Sequence, residues 1–413
     1  MQGAKQNTIL VAVDRPRSSN RRWFFLALAT LSQVSVAVIR LGIPAVLPFI
    51  KRELNLRHDQ VGLTIAVLNG GAAAAGIPAG RAADRLGERV VLAFGAIASG
   101  MAIVAVYGAA NFPTLLLLFL VVGFMTTTSV PAGGRAVVGW FPQAERATAM
   151  GFRQMGIPLG GAISALLLPP TALVLGWRVS LSLAGLFAIG AGIIALVLYE
   201  EPAAAGPDRC REPAGPGTSL LGRKQIQALL AYGFILSVGQ WCYLTYLTLY
   251  LIETLGLTIS LAATHLAIGQ VCGALGRIFW GVVSDQMFRG RRAPVLVLIA
   301  ALASVMTVFL SLLSQDTPLW LVSLTAALLG LSLQGWNGLG HTLASELANS
   351  HAAGLAVGMM NSAGLLGVVA ATPIFGLLVE AVGYRPAWLA LASLIAIALA
   401  PLTSIGGERS AGK

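Results

Sequence analysis

Long apolar runs alternate with short polar breaks along the whole chain, and that rhythm sets its class. Counting the runs gives twelve stretches, near 23–50, 60–82, 90–109, 112–139, 148–173, 179–199, 228–253, 260–284, 294–314, 318–345, 354–379 and 386–406. A helix needs about 20 residues to cross the hydrocarbon core of a bilayer, and each stretch is about that long or longer. None shows the period-2 alternation of a membrane strand, so helices are predicted rather than a barrel. Between the sixth and seventh runs lies EEPAAAGPDRCREPAGPGTSLLGRK, whose Pro, Gly and charge read as a flexible linker. The expected organisation is a tail over 1–22, a six-helix bundle over 23–199, a linker over 200–227, a second six-helix bundle over 228–406 and a tail over 407–413. The fold class expected is therefore an all-α membrane protein of twelve transmembrane helices in two pseudo-symmetric bundles.

Composition agrees with the pattern. The 413 residues are 56% hydrophobic and 10% charged, with mean hydropathy +0.80, whereas soluble domains carry about 25% charged residues. Too little polar surface is left to enclose a water-facing fold. The first apolar run is longer than the core of a signal peptide and reads as a retained helix. Cys210, Cys242 and Cys272 have no paired spacing, so neither a disulfide framework nor a metal site is expected. There is no phosphate-cradling GxxxxGK[ST] loop and no HExxH pair, which argues against an enzyme and against a cofactor.

The net charge of +11 would suit nucleic acid, but its placement points elsewhere. With the amino terminus inside, the segments on that side hold 18 Lys/Arg and the opposite loops hold five, Lys51, Arg52, Arg57, Arg178 and Arg385. By the positive-inside rule both termini face the cytoplasm and the partner is a lipid bilayer, an inner cell membrane, rather than nucleic acid. Four arginines remain inside the runs: Arg40, Arg135, Arg153 and Arg277.

The halves repeat. At an offset of 201, Asn69, Gly80 and Asp84 fall on Gln270, Gly281 and Asp285. At 207, Gly151, Gln154, Gly160, Gly176 and Arg178 fall on Gly358, Asn361, Gly367, Gly383 and Arg385, with Trp177 on Tyr384. Matching amides, a loop Asp and a Gly-aromatic-Arg turn exceed what Gly-rich sequence matches by chance. Repeated halves suit a transporter with its site between them.

The loop after the second run reads Gly80-Arg-Ala-Ala-Asp84-Arg85-Leu-Gly87-Glu-Arg89-Val90, and its second copy Gly281-Val-Val-Ser-Asp285 continues to Arg289-Gly290-Arg291-Arg292. With the repeat, linker and twelve runs, these residues resemble the major facilitator superfamily along essentially the whole chain. The departures are Val90, where a second basic residue is usual, and two extra residues in the second copy. The resemblance implies a gating role for Gly80, Asp84, Arg85, Gly87, Arg89 and Asp285, made in the state closed to the cytoplasm. Without it, Asp84 reads more readily as a solvated loop charge that sets topology. The stretch from Arg135-Ala-Val-Val-Gly-Trp-Phe-Pro through Gly151-Phe-Arg153-Gln154-Met-Gly-Ile-Pro158-Leu-Gly160-Gly161 is similar to the anion:cation symporter and organic-anion branches. Arg277, ahead of Gly281 and Asp285, resembles the carboxylate-binding arginine of monocarboxylate and oxalate carriers. The spacing around Pro158 departs from the drug:proton antiporter pattern.

A cation at the bilayer centre is costly, so intramembrane arginines are functional candidates by default. Arg40 lies about 5 Å to the outer side of the middle of its run and Arg277 about 7 Å to the inner side of its own. Arg135 and Arg153 lie within about two turns of cytoplasmic ends, where snorkelling is the competing reading. All sixteen Asp and Glu lie away from the middle of a run. The deep arginines therefore lack an obvious carboxylate, and an anionic substrate is the simplest compensation. Candidate binding residues are Arg40, Arg277, Gln154, Asn69, Gln270, Trp241, Tyr243, Tyr246, Asn337 and Asn361, with Arg135, Arg153 and His341 second. Each amide alone reads as readily as a helix–helix tie. The function expected is alternating-access transport of a small organic anion, a carboxylate or sugar acid, by a monomer with proton symport. Glu253, His341, Glu346 and Glu380 are the titratable candidates for the proton. Anion exchange without protons and efflux of amphipathic compounds are the alternatives.

Overall fold

The computed structural model describes residues 19–127, 136–137, 140–141, 146–201, 222–348 and 353–402. Helices dominate, because a chain with no water along its sides must satisfy every backbone N–H and C=O within its own segments. In the first half they are α1 (Ser19–Glu53), α2 (His58–Leu86), α3 (Glu88–Ala105), α4 (Phe112–Thr127), α5 (Arg146–Leu175) and α6 (Trp177–Leu198). In the second they are α7 (Lys224–Glu253), α8 (Ile259–Gln286), α9 (Arg292–Leu312), α10 (Leu319–Leu333), α11 (Trp336–Leu347), α12 (Ala353–Val382) and α13 (Tyr384–Ile397). Ten described stretches are long and apolar enough to cross a membrane, and Phe112–Thr127 is a shorter apolar helix. α2 supplies a further 29-residue helix, which completes the twelve-helix pattern.

The ends of the helices fall within a few residues of the apolar runs, with three departures, of which one is the twelfth run, extending beyond the end of α13 at Ile397. The fourth run continues past Thr127 into residues outside those described. The tenth run is broken into α10 and α11 at Gln334-Gly335. There the chain packs against α8: an added Cβ at Gly335 would meet Trp280 Cδ1 at 2.8 Å and the Gly276 carbonyl carbon at 3.0 Å. Backbone this close permits no side chain, and small residues at helix contacts are the membrane solution to tight packing.

The repeat inferred from sequence is visible in backbone geometry. Gly176 and Gly383, which precede Trp177 and Tyr384, adopt φ of +84° and +83°, a region that only glycine enters freely. Gly87 and Gly290, each just after its loop Asp, likewise have φ of +83° and +77°.

The two halves touch along α2–α12 and α5–α8, with smaller contacts between α1 and α7. Polar contacts across the halves concentrate at the end of the bundle where α1 finishes and α2 begins. Lys51 Nζ meets Glu253 Oε1 at 2.6 Å, and His58 meets both Glu253 and Glu380. Tyr246 Oη donates to the His58 carbonyl at 2.9 Å, and Thr372 Oγ1 donates to the Gly62 carbonyl at 3.1 Å. At the opposite end, the ion pairs among the described residues stay within one half. Arg21 pairs with Glu200, and Arg292 with Asp285 and Glu346.

Gly330 tests the packing logic, since an added Cβ there would lie 2.0 Å from the Gly269 carbonyl oxygen. Gly330→Ala is expected to cost about 1–3 kcal/mol through overpacking, read as a lower melting temperature in detergent. Gly190→Ala, with no atom within 4 Å of the new Cβ, should melt with the parent.

Candidate functional site

Arg40, from the second half of α1, points between the helices rather than toward a headgroup. Its Nη2 donates to Asn69 Oδ1 on α2 at 2.6 Å, while Asn69 Nδ2 donates to the Ile65 carbonyl at 2.9 Å. The second bond turns the amide so that its oxygen faces the guanidinium. Across the halves, the guanidinium carbon lies 5.3 Å from the centroid of the Trp241 ring on α7, an attractive cation–π contact. Arg40 Nε is buried with no hydrogen-bond partner in the protein. Neither Asn69 nor Trp241 carries a compensating charge.

Arg277 on α8 is held more loosely. Its Nε donates to the Gln334 carbonyl at 3.4 Å and its Nη1 to the Gln154 carbonyl of α5, in the other half, at 3.3 Å. The break between α10 and α11 therefore has a second consequence, since it turns the Gln334 carbonyl toward Arg277. Among the described residues no carboxylate lies within ion-pair distance of Arg40 or Arg277. Long bonds to neutral carbonyls do not satisfy a guanidinium with five donors. Arg40 Nε and the loosely held Arg277 fork thus keep unused donor capacity, and an oxyanion is what a guanidinium binds in bidentate fashion.

The other predicted residues divide by what already occupies them. Gln270 is buried against Gly161 at the α5–α8 contact, and its Oε1 has no partner. Asn69 and Gln270 occupy repeated positions in sequence, yet one anchors an arginine and the other fills an interface. Asn337 donates to Gln240 Oε1 and to the Gln334 carbonyl, both at 3.1 Å. His341 Nε2 and Asn361 Oδ1 lie 3.1 Å apart. Gln154 reaches Arg277 through its backbone carbonyl rather than its amide.

Tyr243 and Tyr246 are buried with their hydroxyls committed, Tyr243 to the Ala326 carbonyl and Tyr246 to those of His58 and Thr372. Arg153 is only 2% exposed and donates to Gln33 Oε1 on α1 at 2.8 Å, so it does not snorkel. Arg135 lies outside the described residues.

Of the expected gating residues, Gly80, Asp84 and Arg85 belong to the α2 segment, but the side chains of Asp84 and Arg85 lie outside the described residues. Gly87 makes the left-handed turn before α3, and Arg89 Nε donates to the Leu196 carbonyl at 2.7 Å. Asp285 pairs with Arg292, which reaches on to Glu346 Oε1 at 3.3 Å. That triad joins α8, α9 and α11.

Sequence reasoning missed His58 and the cross-half role of Lys51, which had looked like topological charge. One signal was present: Glu53 and Glu253 lie just past and at the end of the first run of their half, 200 residues apart. Each also meets the repeated aromatic. Trp177 Nε1 donates to Glu53 Oε2 at 2.7 Å, and Tyr384 Oη donates to Glu253 Oε2 at 3.0 Å.

The family model described as Major Facilitator Superfamily matches residues 26–371. The chain belongs to the Major Facilitator Superfamily. Among curated relatives, it is 29% identical to an uncharacterized MFS-type transporter of Mycobacterium tuberculosis, covering 94% of this chain and 86% of the relative. It is 28% identical to a probable sulfoacetate transporter of Cupriavidus necator, covering 88% of each. It is 24% identical to a D-galactonate transporter of Escherichia coli, covering 97% of this chain and all of that one. A solved bacterial homologue of the human lysosomal transporter Spinster shares the fold, with TM-score 0.76, 18% identity and 94% of each chain covered. This major facilitator protein is thus a transporter and not an enzyme.

Arg277 supplies a test of whether the site is structural or functional. Replacing an uncompensated buried charge with an apolar side chain of similar length removes its desolvation penalty. Arg277→Met should therefore melt no lower than the parent in the absence of substrate. A clear fall in melting temperature would make Arg277 a structural tie.

Proposed function

We propose that the protein carries a small organic anion, a carboxylate or sugar acid, across the inner membrane by alternating access, with proton symport. The observation that carries this reading is the pair of deep arginines, one in each half, with no carboxylate among the described residues within ion-pair distance of either. A low-dielectric site with two unneutralised cations repels cations and gains most from an oxyanion. The relatives named for sulfoacetate and D-galactonate support the same class of substrate. Asn69 orients Arg40, Trp241 bounds it from the other half, and Arg277 supplies the second cation from α8.

The distribution of cross-half contacts supports the two-state reading. With both termini cytoplasmic, as the placement of Lys and Arg favours, the clasped end is the outer one. The state is then closed outside, and rocking of the halves about the central site exchanges it for the opposite one. Anion-for-anion exchange is the second reading, and one observation favours it. Among the described residues no acid adjoins the deep arginines to carry the proton, and Glu346 is engaged by Arg292.

Arg40→Ala and Arg277→Ala should each lower uptake of the transported anion into proteoliposomes at least ~100-fold while the protein stays folded. Lys at either position should rescue poorly, because a point charge lacks the bidentate fork. Near-normal uptake by both alanine variants would sink the anion reading. Asn69→Ala should weaken apparent affinity about tenfold, the cost of one charged hydrogen bond.

Coupling separates by proton movement. Symport predicts that anion uptake down its gradient acidifies the lumen, read with an entrapped pH dye. Exchange predicts no such change and an absolute need for anion on the far side. For a dianion with one proton, a negative-inside potential should oppose uptake by ~2.3 kcal/mol per charge per 100 mV.

A further inference from the structure

The outer clasp has a composition that its mechanical task does not require. A single imidazole, His58 at the first turn of α2, sits between two carboxylates from the other half. Its Nδ1 lies 2.5 Å from Glu380 Oε1 on α12, and its Nε2 lies 2.7 Å from Glu253 Oε2 on α7. Lys51 Nζ, from α1, lies 3.0 Å from the same Nε2 and 2.6 Å from Glu253 Oε1. Glu380 Oε1 also accepts the His58 backbone N–H at 2.7 Å, so it closes the positive end of α2 from across the halves.

Charge balance singles out the imidazole. One ammonium against two carboxylates leaves an excess negative charge, and a proton on His58 cancels it. In that form both ring nitrogens donate, one to each acid. The neutral ring donates only one of these bonds. The phenols that complete the pocket, Tyr384 stacked edge-on to the ring at 5.4 Å and Tyr246 on the His58 carbonyl, supply no charge. On its own helix, Asp59 is taken up by Arg57 at 3.1 Å. Burial and the neighbouring Lys51 ammonium lower the basicity of His58, but hydrogen bonds to Glu253 and Glu380 and the charge of Glu253 outweigh them and hold its pKa above the ordinary value.

Both acids belong to the second half, and His58 and Lys51 to the first, so the pocket exists only while the outer end is closed. The repeat underlines this. Glu53, the counterpart of Glu253, is spent within its own half on Trp177 and Arg178, whereas Glu253 reaches across.

We propose that His58 is an outer-side proton-binding site whose occupancy locks the outer gate shut, so that external acidity sets the balance between the two transport states. Its side chain is 14% exposed and lies at the outer end, so the proton arrives and leaves by the same face. It is a regulatory proton, distinct from any carried with substrate. A transporter regulated this way shows pH-dependent uptake even when no proton is moved. The sign follows from linkage. Closure stabilised by the imidazolium is fully present below the pKa of the open state, about 6.5, and is lost as pH rises through the raised value of the closed state.

The proposal rests on the two-state reading above but not on the anion or its coupling, and its test uses neither substrate nor gradient. Spin labels at Ala110→Cys and Asp316→Cys, exposed on the outer loops of the two halves, are introduced with Cys210, Cys242 and Cys272 replaced. Distances are then read by double electron–electron resonance in lipid nanodiscs. Between about pH 5.5 and 8.5 the ratio of short to long distances should fall, by the factor that separates the proton affinities of the closed and open states. His58→Gln should lose the pH response and resemble the parent at alkaline pH. His58→Arg, a permanent cation, should keep the short distance throughout. A pH response that survives in His58→Gln, its absence from the parent, or opening of His58→Arg at alkaline pH would each overturn the proposal. Lost anion uptake with this response intact would instead count against the transport reading alone.

Discussion

The centre of this protein is organised around guanidinium groups that no carboxylate among the described residues answers. In an apolar medium such a charge is tolerated only with a polar cavity, an arriving anion, or both. Arg40 is therefore braced by an amide and an aromatic face, both neutral, and Arg277 by two backbone carbonyls at the limit of hydrogen-bond length. These partners fix direction without cancelling charge. A carboxylate in either place would have made the site stable when empty and indifferent to an anion.

The same economy of charge organises the ends of the bundle. At one end Lys51, His58, Glu253 and Glu380 join the halves. At the other, Arg21–Glu200 and the Asp285–Arg292–Glu346 group hold helices of one half together. Identical chemistry thus stiffens a half in one place and couples the halves in another. The broken symmetry of Glu53 and Glu253 makes the difference concrete: each accepts from the repeated aromatic, but only Glu253 reaches the opposite bundle.

Much of the candidate site could be read from the chain because membrane charge is scarce. With 10% charged residues, every deep arginine stands out. The partners were harder. Asn69 and Gln270 looked equivalent by repeat, yet one binds Arg40 and the other packs against Gly161. Tyr243 and Tyr246 looked like cavity groups, but a phenol satisfies a stray backbone carbonyl as readily as a ligand, and both do so. His58 drew no notice, since one histidine at the start of a run has no periodicity or motif to mark it.

The sequence by itself determined the class of fold, the positions of the helices, the repeat and the depth of the arginines. These depend on local hydrophobicity and spacing, which lipid enforces residue by residue. Only the tertiary structure decided that the tenth run breaks at Gln334-Gly335, that Trp241 covers Arg40, and that Glu253 and Glu380 close on His58. Each of those is a meeting of residues from different helices, set by the rotation and approach of packed helices at contacts such as Gly276 with Gly335. Periodicity along one helix holds no information about which face of another it will meet.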